Sequence, residues 1–417
     1  MVMVTEQSIA IEAPKRITTT VALPASKSIS NRALIINALS PNPCALQNLS
    51  TSDDTATLQN ALAHTNTANT NIGAAGTAMR FLTAFFATKQ GHTVELDGSE
   101  RMRMRPIKPL VDALRFLGAD ISYCGREGFP PLHISGKRLT PRHLCIDGSL
   151  SSQFTSAILM IAPIIGDMCI SITGKALSLP YIDMTLAIMR QFGITTQRSG
   201  LDITIDKGDY CHNGDFGVES DWSAASYWFA ISALCPQSAI SLTGLNKTSV
   251  QGDSEILSHL AQIGLQATWQ ADGTLRLNHN GDTADFFEAD FSGTPDIAQT
   301  FIVMLCLLGI KFRLHGLSNL KIKETDRLNA MVTEMAKIGF SLSADSGSIA
   351  WLGDKCQASQ VAPVFDTYKD HRMAMSMALA ATRLGKVIIN EPSVVTKSYP
   401  DFWNDLAQAG FKITPAT

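Results

Sequence analysis

A chain of 417 residues with an apolar fraction of 45% holds material for two hydrophobic cores rather than one. Its formal charge of −3 gives no overall drive toward nucleic acid or an anionic membrane surface, so any anion site must arise from local clustering. The eight cysteines are scattered without C-x-x-C or metal-ligand spacing, the opening "MVMVTEQSIAIEAPKRI" lacks the apolar core of a signal peptide, and the longest apolar run, "FIVMLCLLGI" at 301–310, is about half a membrane span; a soluble, reduced, cytoplasmic protein is expected.

In chain order, one helical pattern opens at "SKSISNRALI", starting near Ser28. It recurs at "GTAMRFLTAF" (Thr77), "SSQFTSAILM" (Ser152), "DWSAASYWFA" (Ala224), "PDIAQTFIVM" (Asp296) and "DHRMAMSMAL" (Arg372). From Thr77 onward the steps are 75, 72, 72 and 76 residues. A second helix interleaves at a similar period. Its copies are a shortened "LQNALAHTN", then "LVDALRFLGADIS", "LAIMRQFGITT", "LSHLAQIGLQATW", "MVTEMAKIGFSLS" and "FWNDLAQAGFKIT". The last five carry Gly118, Gly193, Gly264, Gly339 and Gly410, spaced 75, 71, 75 and 71 residues apart. A glycine there supplies the left-handed residue that ends a helix before the next strand. The short copy ends on Asn66, a residue type that also adopts that conformation. The β-branched runs "ISITG", "LDITI", "TLRLN" and "KVIIN" lie between the helices and read as strands. Six units of about 70 residues, each with two helices and several strands, account for the whole chain. That excludes a single doubly wound sheet, and neither G-x-G-x-x-G nor G-x-x-x-x-G-K-[ST] is present.

The polar residues fall at or just before the starts of the first helix series. Plain N-capping explains the Ser, Thr and Asp. It does not explain Lys27, Arg32, Gln153, Arg372 or the "RMRMR" run at 101–105. Helix N-termini attract anions through unpaired N–H groups and the helix dipole, so converging ends would form one large anion site. The stretch "KETDRL" at 323–328 belongs with them: four of its six residues are charged in a chain that is 17% charged. Leu328, Met331, Val332 and Met335 follow at helical spacing. Taken alone it would be a solvated helix start, with Glu324 and Asp326 complementing the dipole.

Eight segments in collinear order carry a family resemblance: "LPASKSISNRALI" (23–35), "GTAMRFL" (76–82), "RMRMRPIKPLVDAL" (101–114), "DGSLSSQF" (147–154), "SLPYIDMTL" (178–186), "KETDRL" (323–328), "YKDHRMAM" (368–375) and "TKSYPDF" (396–402). Over essentially its full length the chain resembles the 5-enolpyruvylshikimate-3-phosphate synthases among the enolpyruvyl transferases. That resemblance implies a two-lobed, inside-out α/β barrel with three βαβαββ-type repeats per lobe. One lobe would comprise 1–22 with 220–417 on the phosphoenolpyruvate side, the other 23–219 on the shikimate 3-phosphate side, with the active site in the cleft between them. The implied reaction moves the enolpyruvyl group of phosphoenolpyruvate onto the 5-hydroxyl of shikimate 3-phosphate and releases phosphate.

Carried over by the resemblance, the shikimate-phosphate site maps onto Lys27, Ser28, Arg32, Ser151, Ser152, Gln153, Ser178, Tyr181, Asp296, Asn319 and Lys323. The phosphoenolpyruvate site maps onto Lys27, Gly76, Arg105, Gln153, Arg327, Arg372 and Lys397. The two substrates bring on the order of −5 to −6 charge. The seven cations Lys27, Arg32, Arg105, Lys323, Arg327, Arg372 and Lys397 are of a number to balance it. Asp296 and Glu324 are the candidate proton-transferring pair, with Lys27 sharing proton transfer or stabilising departing phosphate. No metal or organic cofactor is implied, no nucleic-acid or membrane partner either, and a monomer is expected. Ala25, Ala74 and Phe81 depart from the family pattern, Ala74 beside the phosphoenolpyruvate pocket. Three other readings stay open. An enolpyruvyl transferase acting on a UDP-amino sugar commonly carries a reactive cysteine in the loop corresponding to "GSERMRMRP", which has none. An RNA-end-processing ligase would need a basic surface. A non-catalytic paralogue would not need Asp296, Glu324 and Lys27.

Overall fold

The computed structural model describes residues 7–149, 151–174, 177–279, 284–358 and 362–416. The protein is mixed α/β and forms two compact units, Met1–Pro24 with Ser220–Thr417, and Ala25–Glu219.

One repeat shows the plan of the rest. Strand Asn69–Asn71 leads through helix Gly76–Thr88 to strand Thr93–Asp97, which lies parallel to it. Helix Lys108–Phe116 then leads to a hairpin, Asp120–Tyr123 with Leu132–Ser135, whose second strand pairs antiparallel with Thr93–Asp97. The sheet order is therefore first, second, fourth, third. Strands Leu144–Asp147, Met168–Thr173, Thr196–Ser199 and Asp202–Ile205 repeat it in the same unit. Phe286–Asp290, Lys311–His315, Ser343–Ala344 and Ile349–Trp351 repeat it in the other. The amino-terminal segment completes the two remaining four-stranded sheets. Thr18–Ala22 is the parallel first strand beside Ala239–Thr243, and Ser8–Glu12 lies between Lys386–Asn390 and Lys412–Pro415, antiparallel to both.

The sixth repeat is smaller than the sequence pattern implies. Among the described residues its sheet is two strands, Leu46–Gln47 parallel to Phe216–Gly217. Its outer helix, Asp53–Ala63, reaches the next strand at Asn69 in five residues, too few for a hairpin. That helix also ends differently from the expectation. His64 caps it at φ −117 and Thr67 N–H returns to the His64 carbonyl, so Asn66 is not its left-handed terminator. The five glycines do what their position requires: Gly118, Gly193, Gly264, Gly339 and Gly410 sit at φ +99, +84, +78, +91 and +97. A side chain there costs on the order of 1–2 kcal/mol.

The first helix series is the interior of each unit. Trp222–Leu234 and Ala298–Leu308 are apolar nearly all round and buried over most of their length. Such a helix has no face fit for water and must be surrounded. Its few polar positions satisfy one another: Ser226 meets Thr300 at 3.2 Å, and Thr300 meets Ser376 of helix His371–Ala378 at 3.5 Å. The outer helices are amphipathic instead. Lys108–Phe116 buries Leu110, Val111, Ala113 and Leu114 and leaves Lys108 and Asp112 exposed. The inner helices begin at Lys27, Gly76, Ser152, Trp222, Ala298 and His371, within two residues of the expected starts. Asp296 lies in a 3-10 turn, Pro295–Ile297, that leads into its helix.

Candidate active site

In the unit containing 220–417, the sequence-expected residues gather around one guanidinium. Arg327 opens helix Arg327–Ala336, and Asp326 caps that helix by accepting from Asn329 N–H at 3.1 Å. The Arg327 side chain is only 2% exposed. Its Nε donates to Asp370 Oδ2 at 2.7 Å, Nη2 to Glu324 Oε2 at 3.0 Å and to Asp370 Oδ1 at 3.3 Å, and Nη1 to Asp296 Oδ1 at 3.3 Å. Burial opposes its charge, but Asp370, Glu324 and Asp296 more than offset that and hold the guanidinium above its ordinary pKa. Burying a charge is costly unless it is paired and hydrogen-bonded, as here.

The second shared acid is Asp296. Arg372 Nη2 donates to its Oδ2 at 2.8 Å and Nη1 to its carbonyl at 2.9 Å, while Lys323 Nζ lies 3.8 Å from Oδ1. Lys397 Nζ lies 3.0 Å from Glu324 Oε1. Asp296, Lys323, Glu324, Arg327, Arg372 and Lys397 thus form one charged network. Asn319 is buried in the 3-10 turn Ser318–Ile322 just upstream of Lys323. Asp370 was not anticipated. It is wholly buried, caps helix His371–Ala378 by accepting from Arg372 N–H at 2.9 Å, and ties that helix to Arg327. The signal was an Asp directly ahead of a helix start, which reads as an ordinary cap.

Asp253 was also unanticipated. It sits in the 3-10 turn Gly252–Glu255, is 4% exposed, and accepts through Oδ2 from the Ser223 hydroxyl. Oδ1 has no hydrogen-bond partner among the described residues. Burial, and then the neighbouring negative charge of Asp296, lift its pKa to about 7, against the opposing influence of Ser223 and Arg372. A lone Asp in "QGDSE" reads as a turn, so nothing local marks it.

In the unit 25–219 the expected residues other than Arg105 sit at four helix starts. Lys27, the first residue of helix Lys27–Leu39, lies 3.4 Å from Asp54 Oδ2. Ser28 follows it, and its carbonyl accepts from Arg32 Nη1 at 3.0 Å. Arg32 is buried. Its Nε donates to Thr185 Oγ1 at 2.7 Å, and Nη2 reaches Ser156 Oγ and the Tyr181 carbonyl, each at 3.2 Å. The Phe81 and Tyr181 rings flank it at 5.5 and 5.9 Å. Burial pulls its pKa down to about 10, with no carboxylate among the named partners. Ser151 caps helix Ser152–Ile165 by accepting from Gln153 N–H, and Gln153 Nε2 donates to Thr77 Oγ1 at 3.1 Å. Ser178 precedes helix Leu179–Gln191 at φ +59, a left-handed non-glycine residue that delivers Tyr181 to the first turn.

Gly76 begins helix Gly76–Thr88 with the Arg105 guanidinium pressed against it; a Cβ there would lie 2.6 Å from Arg105 Nη1. Arg80, another unanticipated residue, is buried beneath them and donates to the Gly76 and Pro106 carbonyls at 3.2 Å each. It therefore ties the helix start to the residue after Arg105. Among the described residues no group of three or more His, Cys, Asp or Glu could hold a metal ion, and no helix is long and apolar enough to cross a membrane.

The EPSP synthase (3-phosphoshikimate 1-carboxyvinyltransferase) family model matches residues 11–70 and 59–406. A protein named 3-phosphoshikimate 1-carboxyvinyltransferase from Bacteroides fragilis strain YCH46 is 49% identical over 97% of this chain and 98% of its own length. One of the same name from Tolumonas auensis is 37% identical over 96% of this chain and 98% of its own length. The solved EPSP synthase of Acinetobacter baumannii covers 98% of this chain and all of its own, with a TM-score of 0.77 at 19% identity, a likeness of fold. Matched by the family model along nearly all its length, the chain belongs to the EPSP synthase family.

Proposed function

We propose that this chain transfers the enolpyruvyl group of phosphoenolpyruvate to the 5-hydroxyl of shikimate 3-phosphate, with release of phosphate. The observation that carries the reading is Arg327 contacting Asp296, Glu324 and Asp370 at once, with Arg372 and Lys397 on the same two outer acids. Two carboxyls suited to proton transfer are thereby held against the cations suited to a phosphate and a carboxylate. Arginine grips such groups with two parallel hydrogen bonds.

On this reading Arg105, Arg327, Arg372 and Lys397, with Gly76 and Gln153, hold phosphoenolpyruvate. Ser28, Arg32, Ser151, Ser152, Gln153, Ser178, Tyr181, Asn319 and Lys323 bind or shape the site for shikimate 3-phosphate. Glu324 delivers a proton to C3 of phosphoenolpyruvate. Asp296 takes the proton of the 5-hydroxyl, whose oxygen then bonds to C2. In the second half C3 returns its proton, the C2–O bond to phosphate breaks, and Lys27 stabilises the departing phosphate. Environment can set two carboxyls to opposite roles.

On this reading the substrates draw ligands from both units. Each lobe would be an inside-out α/β barrel of three repeats, one lobe on the phosphoenolpyruvate side and the other on the shikimate 3-phosphate side. A monomeric cytoplasmic enzyme completes the reading. The test is phosphate release with phosphoenolpyruvate and shikimate 3-phosphate, run against UDP-N-acetylglucosamine as alternative acceptor. Release only with the UDP-sugar would overturn it.

A further inference from the structure

The approach to Arg372 follows an uncommon backbone path. Tyr368 and Lys369 are consecutive non-glycine residues at φ +54 and +56. Such residues are strained and persist only where their surroundings over-determine them. The next two residues are Asp370, bound to Arg327, and His371, which begins the helix carrying Arg372. The path therefore sets the position of the network's central acid and one of its arginines.

What over-determines it is a buried acid on a neighbouring helix. Glu334 has a fully buried side chain in helix Arg327–Ala336. Its Oε1 accepts from the Tyr368 hydroxyl at 2.6 Å and its Oε2 from Asp366 N–H at 3.0 Å. Lys337 Nζ lies 2.7 Å from Oε2, and also donates to the Val364 carbonyl and to Asp366 Oδ2, each at 3.0 Å. The turn closes on itself where Asp370 N–H donates to the Thr367 carbonyl at 2.8 Å. One rigid helix thus holds Asp370 through Arg327 at its first turn, and Tyr368 through Glu334 about two turns later. Burial first, then the hydrogen bond to Glu334, raise the Tyr368 phenol above its ordinary pKa, so it stays a donor throughout the working pH range.

We propose that Tyr368 is a positioning residue: its hydroxyl, anchored on Glu334, holds the left-handed Tyr368–Lys369 turn that sets Asp370 against Arg327 and Arg372 against Asp296. The proposal rests on the reading that Arg372 grips phosphoenolpyruvate. The effect should fall on that substrate, because Tyr368 acts on where an anion-binding group stands and not on the protons that move.

Tyr368→Phe keeps the ring and removes only the hydroxyl. A hydrogen bond to a carboxylate is worth enough to predict a rise of about tenfold in KM for phosphoenolpyruvate. The KM for shikimate 3-phosphate and kcat should change by less than about threefold, as expected when binding rather than the chemical step is lost. Arg372→Lys and the double variant complete a cycle. If Tyr368 acts through Arg372, Tyr368→Phe in the Arg372→Lys background should add less than about threefold to that KM. An unchanged KM in Tyr368→Phe overturns the proposal, and so does the full tenfold effect in both backgrounds. Equal losses in kcat and in both KM values with a lowered Tm would mark a merely structural tyrosine and overturn it too. Arg372→Lys with normal KM for phosphoenolpyruvate would instead refute the underlying assignment of Arg372.

Discussion

Asp253→Asn should change how the protein's stability depends on pH, in a direction fixed by the geometry. The carboxyl is buried, one oxygen is without a hydrogen-bond partner among the described residues, and Asp296 and Asp221 add like charge. Its pKa rises from the ordinary 3.8 to about 7 in the fold. Between those values the folded chain keeps a proton that the unfolded chain has lost, so stability falls as pH rises through this window. The slope is about 1.4 kcal/mol per pH unit, and the full penalty above pH 7 is on the order of 4 kcal/mol. Asparagine cannot ionise and removes the slope. Its amide adds a pH-independent offset, because a buried N–H₂ replaces the unpartnered oxygen, so the informative quantity is the slope. Chemical denaturation of both proteins at pH 5, 6, 7 and 8, without substrates, should show the variant gaining on the wild type up to about pH 7, with a constant difference above it. Curves that stay parallel from pH 5 to 8 would refute the claim that Asp253 is held as a neutral acid.

Three further outcomes are expected. Glu324→Gln should lower kcat by about 10²–10⁴-fold, the usual worth of general acid–base catalysis, and slow exchange of the phosphoenolpyruvate C3 hydrogens with solvent deuterium. Its KM for phosphoenolpyruvate should move far less, and near-normal turnover would return "KETDRL" to a simple helix start. Glyphosate should compete with phosphoenolpyruvate in steady-state kinetics. Gly76→Ala should weaken both, because the new Cβ lies 2.6 Å from Arg105 Nη1 and the guanidinium must shift; unchanged inhibition would separate Arg105 from that site. Activity should survive exhaustive chelation, and loss restored by a divalent ion would contradict the proposed cofactor-free mechanism.

The repeat was legible because two local signals recur with it. An all-apolar helix is visible in composition, and a glycine after an amphipathic helix is visible in spacing, so helix starts and left-handed ends could be read closely. The reduced sixth repeat was not legible. A two-residue strand such as Leu46–Gln47 has no alternation to detect, and its partner, Phe216–Gly217, lies 170 residues away. Ser8–Glu12, paired with strands near the far end of the chain, posed the same problem of distance. At the site, charge at helix starts drew attention to Lys27, Arg32, Arg327 and Arg372, and the family resemblance drew it to Asp296, Glu324 and Lys397, but the buried acids behind them carried no such mark. Asp370, Asp253 and Glu334 look like a cap, a turn residue and a surface helix residue until tertiary structure buries them. Arg32 shows the converse: the sequence marks a cation, and only the fold shows the guanidinium engaged with hydroxyls and carbonyls.

The unit formed by 25–219 is continuous in the chain, whereas the other unit begins with strands that need partners made last. Ser8–Glu12 leaves a ribosome long before both its neighbours, Lys386–Asn390 and Lys412–Pro415, are synthesised. Thr18–Ala22 waits for Ala239–Thr243. At about 5–20 residues per second, the first strand spends tens of seconds with both edges unpaired. During that interval 25–219 can finish folding, leaving the "SIAIE" strand exposed as a sticky edge. Folding therefore runs from the middle of the molecule outward, with the sheets that hold Ser8–Glu12 and Thr18–Ala22 completed only after their distant partners are made.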